Sequence, residues 1–304
     1  MNHKQRLQLA EKSLKGTSIG DAFGESFFGE TDKILNHIQK QTIPQTTWEF
    51  TDDTVMSIAI FKQLEKYQTI NQDDLALAFA NNHSLDVNRG YGATARRILR
   101  GIESGGNWQI LSKNVFDGMG SMGNGAAMRA HSIGAYFYDD FEKVKLLATK
   151  SAEVTHSNIE AIAGAIAVAI GTAIITKLKI EQKNIIANEF INLIVNELPD
   201  TDTKSKIKKS LSVPYHYHTE TIKTILGNGH KMMAQDTVPF AIWCAAHNLG
   251  NFQNALWKAV SILGDRDTIC AIVGGIVMVS SDENEIPAEW IEKVEDFEKS
   301  IFWK

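Results

Sequence analysis

Residues 51–60 read Thr-Asp-Asp-Thr-Val-Met-Ser-Ile-Ala-Ile, and far down the chain residues 265–274 repeat the pattern as Asp-Arg-Asp-Thr-Ile-Cys-Ala-Ile-Val-Gly. Each segment sets two acids and a threonine ahead of an apolar run. The apolar residues Val55, Ile58, Ala59 and Leu64 recur at intervals that fit one face of an α-helix. The same spacing returns at Leu256, Val260 and Leu263, and alternating strand-like runs flanked by turn residues are scarce. The fold class expected is all-α. Only five prolines interrupt the chain, and glycine clusters at 118–125, 227–229 and 264 mark connections between helices. No Ser/Pro-rich linker divides the sequence, so residues 1–304 read as a single domain.

With 304 residues, 43% hydrophobic and 22% charged, the chain has the balance of a globular protein with a sizeable core. The first residues, MNHKQRLQLAEKSLKG, lack the apolar stretch of a secretory signal, and the expected location is the cytoplasm. The most apolar run, Ile159 to Ile175, is broken by Glu160 and diluted by Ala and Gly. It reads as a buried helix that falls short of a bilayer span, and no membrane partner is expected. Cys244 and Cys270 lie in apolar helical sequence and read as core residues in a reducing compartment. Net charge is −5, and the one basic cluster, Lys204 to Lys209, has no interleaved aromatics; it reads as a solvated helix face, and no nucleic acid is expected. His216 and His218, two apart in a polar irregular stretch, read as exposed residues.

The chemistry is concentrated in the two acidic segments. Helix capping explains either one alone, because Asp and Thr at a first turn accept orphan amide hydrogens and favour the positive end of the helix dipole. Yet each segment carries two carboxylates where one cap suffices, and the helices that follow are apolar enough to be buried. Should the two starts converge, four carboxylates would share a pocket, and their repulsion would demand protonation or a cation. Oxygen ligands of this kind suit Mg²⁺ or Mn²⁺ and not zinc.

A third segment, Gly118-Met119-Gly120-Ser121-Met122-Gly123-Asn124-Gly125-Ala126-Ala127-Met128-Arg129, puts a glycine-rich loop ahead of a helix. Such a loop can present backbone N–H groups to phosphate oxygens at the helix start, or serve as a plain connection. His156, before the Ala-rich helix, is open to a packed or a catalytic reading. Gly16, Gly20 and Gly24 clear one helix face for close approach of another helix or a ligand.

Taken in order, GDAFGE (20–25), FTDDT (50–54), RGYG (89–92), GNGAAMR (123–129), THS (155–157), DTVPFA (236–241), GDRDT (264–268) and IPAEW (286–290) resemble the ADP-ribosylglycohydrolase family over nearly the whole chain. The resemblance implies a compact many-helix domain that removes ADP-ribose from a modified protein side chain, arginine being the acceptor expected. It implies that Thr51, Asp52, Asp53, Asp265, Asp267 and Thr268 hold a pair of magnesium ions, with manganese as the alternative. Ser121, Gly123, Asn124 and Gly125 would line phosphate and ribose subsites, with His156 contacting the ADP-ribose. Asp52, Asp53, Asp267 and Glu25 are the expected catalytic carboxylates. The expected partner is an ADP-ribosylated protein, with a cognate ADP-ribosylating toxin, in an immunity role, as a further one.

The sequence also departs from the pattern. Many relatives carry Glu eight residues after the glycine of the GDA motif, where this chain has Phe28; Glu25 and Glu30 are the nearby acids. Arg266 replaces a small residue in GDRDT, reaching substrate phosphate or solvent. The acid often found near RGYG in arginine-specific relatives is here represented by Asp86 alone. The competing reading from another class is a degenerate member that binds ADP-ribose or a partner without turnover.

Overall fold

The computed structural model describes residues 1–304, apart from the side chain of Glu285. Sixteen α-helices follow one another: α1 (His3–Glu25), α2 (Thr31–Lys40), α3 (Asp52–Tyr67), α4 (Gln72–Leu85), α5 (Ala93–Glu103), α6 (Trp108–Lys113), α7 (His131–Tyr136), α8 (Phe141–Glu153), α9 (Ile159–Ile180), α10 (Ala187–Glu197), α11 (Asp202–Ser210), α12 (Thr219–Leu226), α13 (Ala234–His247), α14 (Phe252–Val260), α15 (Arg266–Met278) and α16 (Ala288–Lys293). Extended pairing among the described residues is confined to the isolated bridges Trp48–Val294 and Gly123–Met233. The all-α expectation holds.

Packing starts from the glycines of α1. A Cβ on Gly16, Gly20 or Gly24 would collide with Gly274, with the carbonyl of Cys270 or with that of Arg266, so the stripe admits the backbone of α15 at close range. Of the two uses open to it, the stripe serves helix packing. From Gly16 to Gly24 every residue of α1 is buried, so this helix forms the centre of the molecule with α3, α7 and α15 around it. The contact matters for function because it aligns the C-terminal half of α1 with the start of α15.

Helix α9 corrects one expectation. At 22 residues it runs past Ile175 to Ile180 and is long and apolar enough to cross a membrane. It lies instead between α7, α8 and α13, with 83% of its most apolar window buried. Ala and Gly at many of its positions let these neighbours approach, which is the composition of a core helix.

An aromatic cluster of Phe23, Phe27, Trp48, Trp257 and Trp290 packs beneath the end of α1, with Phe23 stacked on Trp290 at 4.7 Å between ring centroids. The backbone of Trp48 exchanges hydrogen bonds with Lys293 O (2.8 Å) and Glu295 N (2.9 Å), which ties the C-terminal segment to the loop that enters α3. Arg89 adds a fork to Glu295 (2.6 and 2.9 Å) and donates to Phe50 O at 2.9 Å. The turn at Phe50–Thr54 is therefore held from both sides. Cys244 and Cys270 are free and fully buried, as expected of core residues.

Candidate active site

The starts of α3 and α15 meet. Thr51 is the N-cap of α3 and accepts from Asp53 N at 3.3 Å, so part of the capping reading holds. The acids are not caps: Asp265 occupies the N-cap position of α15 without any capping bond from its side chain. What joins the two segments is Thr268, whose hydroxyl lies 3.3 Å from Asp53 Oδ2, the same oxygen that Thr51 Oγ1 approaches at 3.1 Å.

Asp52, Asp265, Asp267 and Thr268 line the floor of a cleft of about 880 Å³, with Glu25 beside them. Asp53 lies behind this floor at 1% exposure, and Thr51 is buried with it. Burial and mutual repulsion push the carboxyls of Asp52, Asp53 and Asp265 well above the usual range. Asp267 is raised too, chiefly by burial, while its contact with Asp265 and nearby backbone N–H groups pull the other way.

Two buried oxygens, Asp53 Oδ1 and Asp267 Oδ1, have no hydrogen-bond partner. Unpaired carboxylate oxygens at the base of a cleft and just behind it are the donors a hard divalent cation takes, so the residues fit such an ion. Among the described residues, no three His, Cys, Asp or Glu side chains are already drawn together as a closed cage. The acids form a wall of donors that a bound cation would have to gather.

Asp21, in the GDAFGE segment, escaped the sequence reading. It is fully buried, and its carboxylate accepts from Thr51 N (2.9 Å), Thr51 Oγ1 (2.9 Å), Thr54 N (3.1 Å) and Thr54 Oγ1 (2.6 Å). Burial and the charge of Asp267 raise it to about 7, against the pull of those donors. Asp21 thus welds α1 to the start of α3 and sets where Asp52 and Asp53 point. The available signal was an acid amid small residues on a helix whose neighbours are all apolar or tiny.

Glu25 ends α1 and faces the cleft; burial first, then Asp267, raise it to about 7, with Arg266 opposing. Glu30 is exposed and paired with Lys33 at 2.6 Å, which leaves Glu25 as the carboxyl in reach. Arg266 is half-buried and anchored to the protein on one side. Its Nη1 donates to Phe27 O at 2.5 Å and its guanidinium lies 4.4 Å from the Phe28 ring, so it braces the segment after α1.

The glycine-rich loop forms the facing wall, with Ser121, Gly123, Asn124, Gly125 and His156 all at the cleft. It does not lead straight into a helix start. A single 3-10 turn, Asn124–Ala126, lies within it, the residues Ala126 to Arg129 are buried, and α7 begins only at His131. The anion site at a helix N-terminus is therefore not built. Asn124 also departs from a free loop amide: its Nδ2 donates to Asp265 Oδ2 (2.5 Å) and Thr237 Oγ1 (2.9 Å). One amide proton is committed to the α15 acid and the other to Thr237 of α13, and Oδ1 is what remains for a ligand. His156 precedes the cap of α9, Asn158, and its ring edge lies against Gly123 and Gly125.

His216 is exposed, and His218 caps α12 by accepting from Glu220 N at 3.4 Å. Neither takes part in the cleft. Asp86, proposed from its nearness to RGYG, is bound to Arg89 Nε at 2.9 Å.

The model of the ADP-ribosylglycohydrolase family matches residues 2–302 of this sequence. The chain belongs to the ADP-ribosylglycohydrolase family. Similar proteins include ADP-ribosylhydrolase ARH3 of Xenopus tropicalis, 27% identical across 96% of this chain and 92% of the relative, and that of Homo sapiens, 26% identical across 94% and 89%. The ADP-ribosylarginine hydrolase Tri1 of Pseudomonas putida (strain GB-1) is 23% identical across 96% of this chain and 75% of its own. A solved ADP-ribosylglycohydrolase-related protein complex contains a chain with the same fold, at a TM-score of 0.67 and 18% identity, covering 96% of this chain and 94% of that one.

Proposed function

We propose that this member of the family is a divalent-metal-dependent, cytoplasmic hydrolase that removes ADP-ribose from a modified protein side chain, arginine first among acceptors. The observation that carries this reading is the meeting of two acid pairs, with unpaired buried oxygens on Asp267 at the floor and on Asp53 just behind it, in a cleft walled by the glycine-rich loop. Asp52, Asp53, Asp265, Asp267 and Thr268, with Thr51 behind them, would hold magnesium or manganese. Such an ion supplies Lewis acidity and lowers the pKa of bound water. The carboxylates also favour positive charge at the anomeric carbon as the glycosidic bond breaks. Glu25, with its carboxyl raised to about 7, is poised to exchange a proton near neutral pH.

Tri1, named an ADP-ribosylarginine hydrolase, supports arginine as acceptor. One observation favours a second reading: Asp86, the acid nearest the RGYG segment, is paired with Arg89 and so does not offer a guanidinium a free carboxylate. Serine is the alternative acceptor. Reversal of a cognate toxin's ADP-ribosylation is the partner proposal that the same chemistry accommodates.

The test is turnover of ADP-ribosyl-arginine and ADP-ribosyl-serine peptides with Mg²⁺ or with chelator, together with magnesium calorimetry, on parent, Asp53→Asn and Asp267→Asn. Loss of one charged ligand is expected to abolish most turnover and to weaken metal binding at least tenfold, about 1.4 kcal/mol. Parental metal affinity and turnover in both variants would sink the two-segment site. No hydrolysis by parent with saturating metal would support a degenerate binding protein instead.

A further inference from the structure

Arg129 is fully buried, yet no carboxylate among the described residues forms an ion pair with it. Its guanidinium lies 4.5 Å from the Phe79 ring centroid, Nη1 is 3.5 Å from Met56 Sδ, and Nη2 donates to Ser151 O (2.8 Å) and to Thr155 Oγ1 (3.0 Å). Burying a charge in this way is costly, and a function that uses its direction gives a reason for it. Thr155 is also fully buried, and its Oγ1 lies 2.7 Å from His156 Nδ1.

Arg129 Nε–H has no partner, but around the Thr155 hydroxyl one arrangement leaves no proton stranded. An arginine only donates, so Thr155 Oγ1 accepts from Nη2. The hydroxyl then has one proton of its own, and among the described residues His156 Nδ1 is the acceptor within reach. Were Nδ1 protonated, the hydroxyl would face two donors and its own proton would be buried without a partner. The ring proton therefore sits on Nε2.

Nε2 is the edge that faces the glycine-rich loop. A Cβ on Gly123 would stand 3.0 Å from it, and a Cβ on Gly125 would stand 3.1 Å away, so both glycines keep that edge open to the cleft. We propose that Arg129, acting through the Thr155 hydroxyl, is a positioning residue that holds His156 as its Nε2–H tautomer and presents the cleft with a fixed, neutral hydrogen-bond donor for an anionic oxygen of the substrate. Burial, and then the charge of Arg129, depress the imidazole to about 3, so the ring does not become a cation at neutral pH. The donor's use toward a phosphate-bearing ligand rests on the proposed function; the tautomer does not.

The experiment has two readouts. Long-range ¹H–¹⁵N spectra of the uniformly labelled protein, with His156 assigned by comparison with His156→Gln, report which ring nitrogen carries the proton. Nε2–H without Nδ1–H is expected across neutral pH, and Nδ1–H in the parent overturns the proposal whether or not ADP-ribose binds. Arg129→Met frees the hydroxyl to accept from Nδ1, and a mixture of tautomers is expected; an unmixed Nε2–H form removes Arg129 from the relay. Thr155→Val and Thr155→Ser keep the test available should Arg129→Met fail to fold. Calorimetry with ADP-ribose is expected to show about tenfold weaker binding in Thr155→Val and near-parental binding in Thr155→Ser. Parental affinity in Thr155→Val overturns the relay. Failure of the parent to bind ADP-ribose, with the Nε2–H tautomer intact, would refute the proposed function and leave the relay standing.

Discussion

Asp21 takes four donors on two oxygens, and substitutions there separate charge from hydrogen bonding. In Asp21→Asn the amide oxygen can serve the three donors now on Oδ2, while the new NH₂ donates to Thr51 Oγ1, which turns its proton to Asp53 Oδ2 at 3.1 Å. Stability is expected to stay within about 1 kcal/mol of parent, helped by removal of a buried acid. Asp21→Ala instead strands two amides and the Thr54 hydroxyl and is expected to cost about 4 kcal/mol, at about 1–3 kcal/mol for each group that water cannot reach. Urea unfolding of both variants at pH 7 checks the pair. Equal stabilities would mean that Asp21 does not position the α3 acids through these bonds.

The element that the active site depends on most is the α1–α15 pair. Gly20 faces the Cys270 carbonyl so closely that even a methyl group has nowhere to go, because both partners are backbone in helices locked by their other contacts. Gly20→Ala is expected to lower stability by about 3 kcal/mol, at the upper end of overpacking costs. Magnesium affinity should fall as well, since separating the helices moves Asp21 and Glu25 away from Asp267. Gly92→Ala is the control, because a Cβ there meets open space and its backbone φ of −63° suits alanine. Thermal unfolding and metal calorimetry on both variants test the claim. A Gly20→Ala protein with parental melting temperature would show that the contact can relax.

Across the whole molecule, protonation and metal binding are linked. Asp21 and Glu25 are raised to about 7, and Asp52, Asp53, Asp265 and Asp267 above their ordinary range, so the folded chain holds protons that the unfolded chain releases at lower pH. The stability contributed by protonating such groups is complete below the unfolded carboxylate range and is lost as pH rises through the folded values. The buried histidines His131, depressed to about 4, and His156, to about 3, act with the opposite sign, but only below the ordinary histidine value of 6.5. The window set by these shifts therefore runs from about pH 6.5 through the folded value of about 7 that Asp21 and Glu25 share. In chelator, the melting temperature is expected to fall across that window. Excess magnesium should restore it, because an ion that binds only the folded chain stabilises by mass action, about 2.7 kcal/mol at a hundredfold excess over its Kd. ADP-ribose is expected to raise it further. Differential scanning calorimetry at both ends of the window is the check, and a melting temperature that climbs with pH in chelator, or ignores magnesium, contradicts the acidic floor.

Helical periodicity in segments such as 51–64 and 256–263 was enough to determine an all-α chain, since local spacing of apolar residues needs no tertiary information. Acid pairs at two apolar helix starts, and the order of motifs, also made the candidate carboxylates legible. Position in space was not. That Asp53 lies behind the floor and Asp52 on it depends on how α3 is turned by Asp21, a residue on another helix. The inward commitment of Asn124 to Asp265, and the bracing of the chain by Arg266, were equally out of reach, because each is a pairing between residues remote in sequence. Glycines at 16, 20 and 24 left a choice between helix and ligand that only the arrival of α15 decided. A sequence specifies which side chains are available and which face of each helix is apolar; the direction in which a polar side chain finally points is chosen by whichever distant donor or acceptor the packed helices bring within 3 Å.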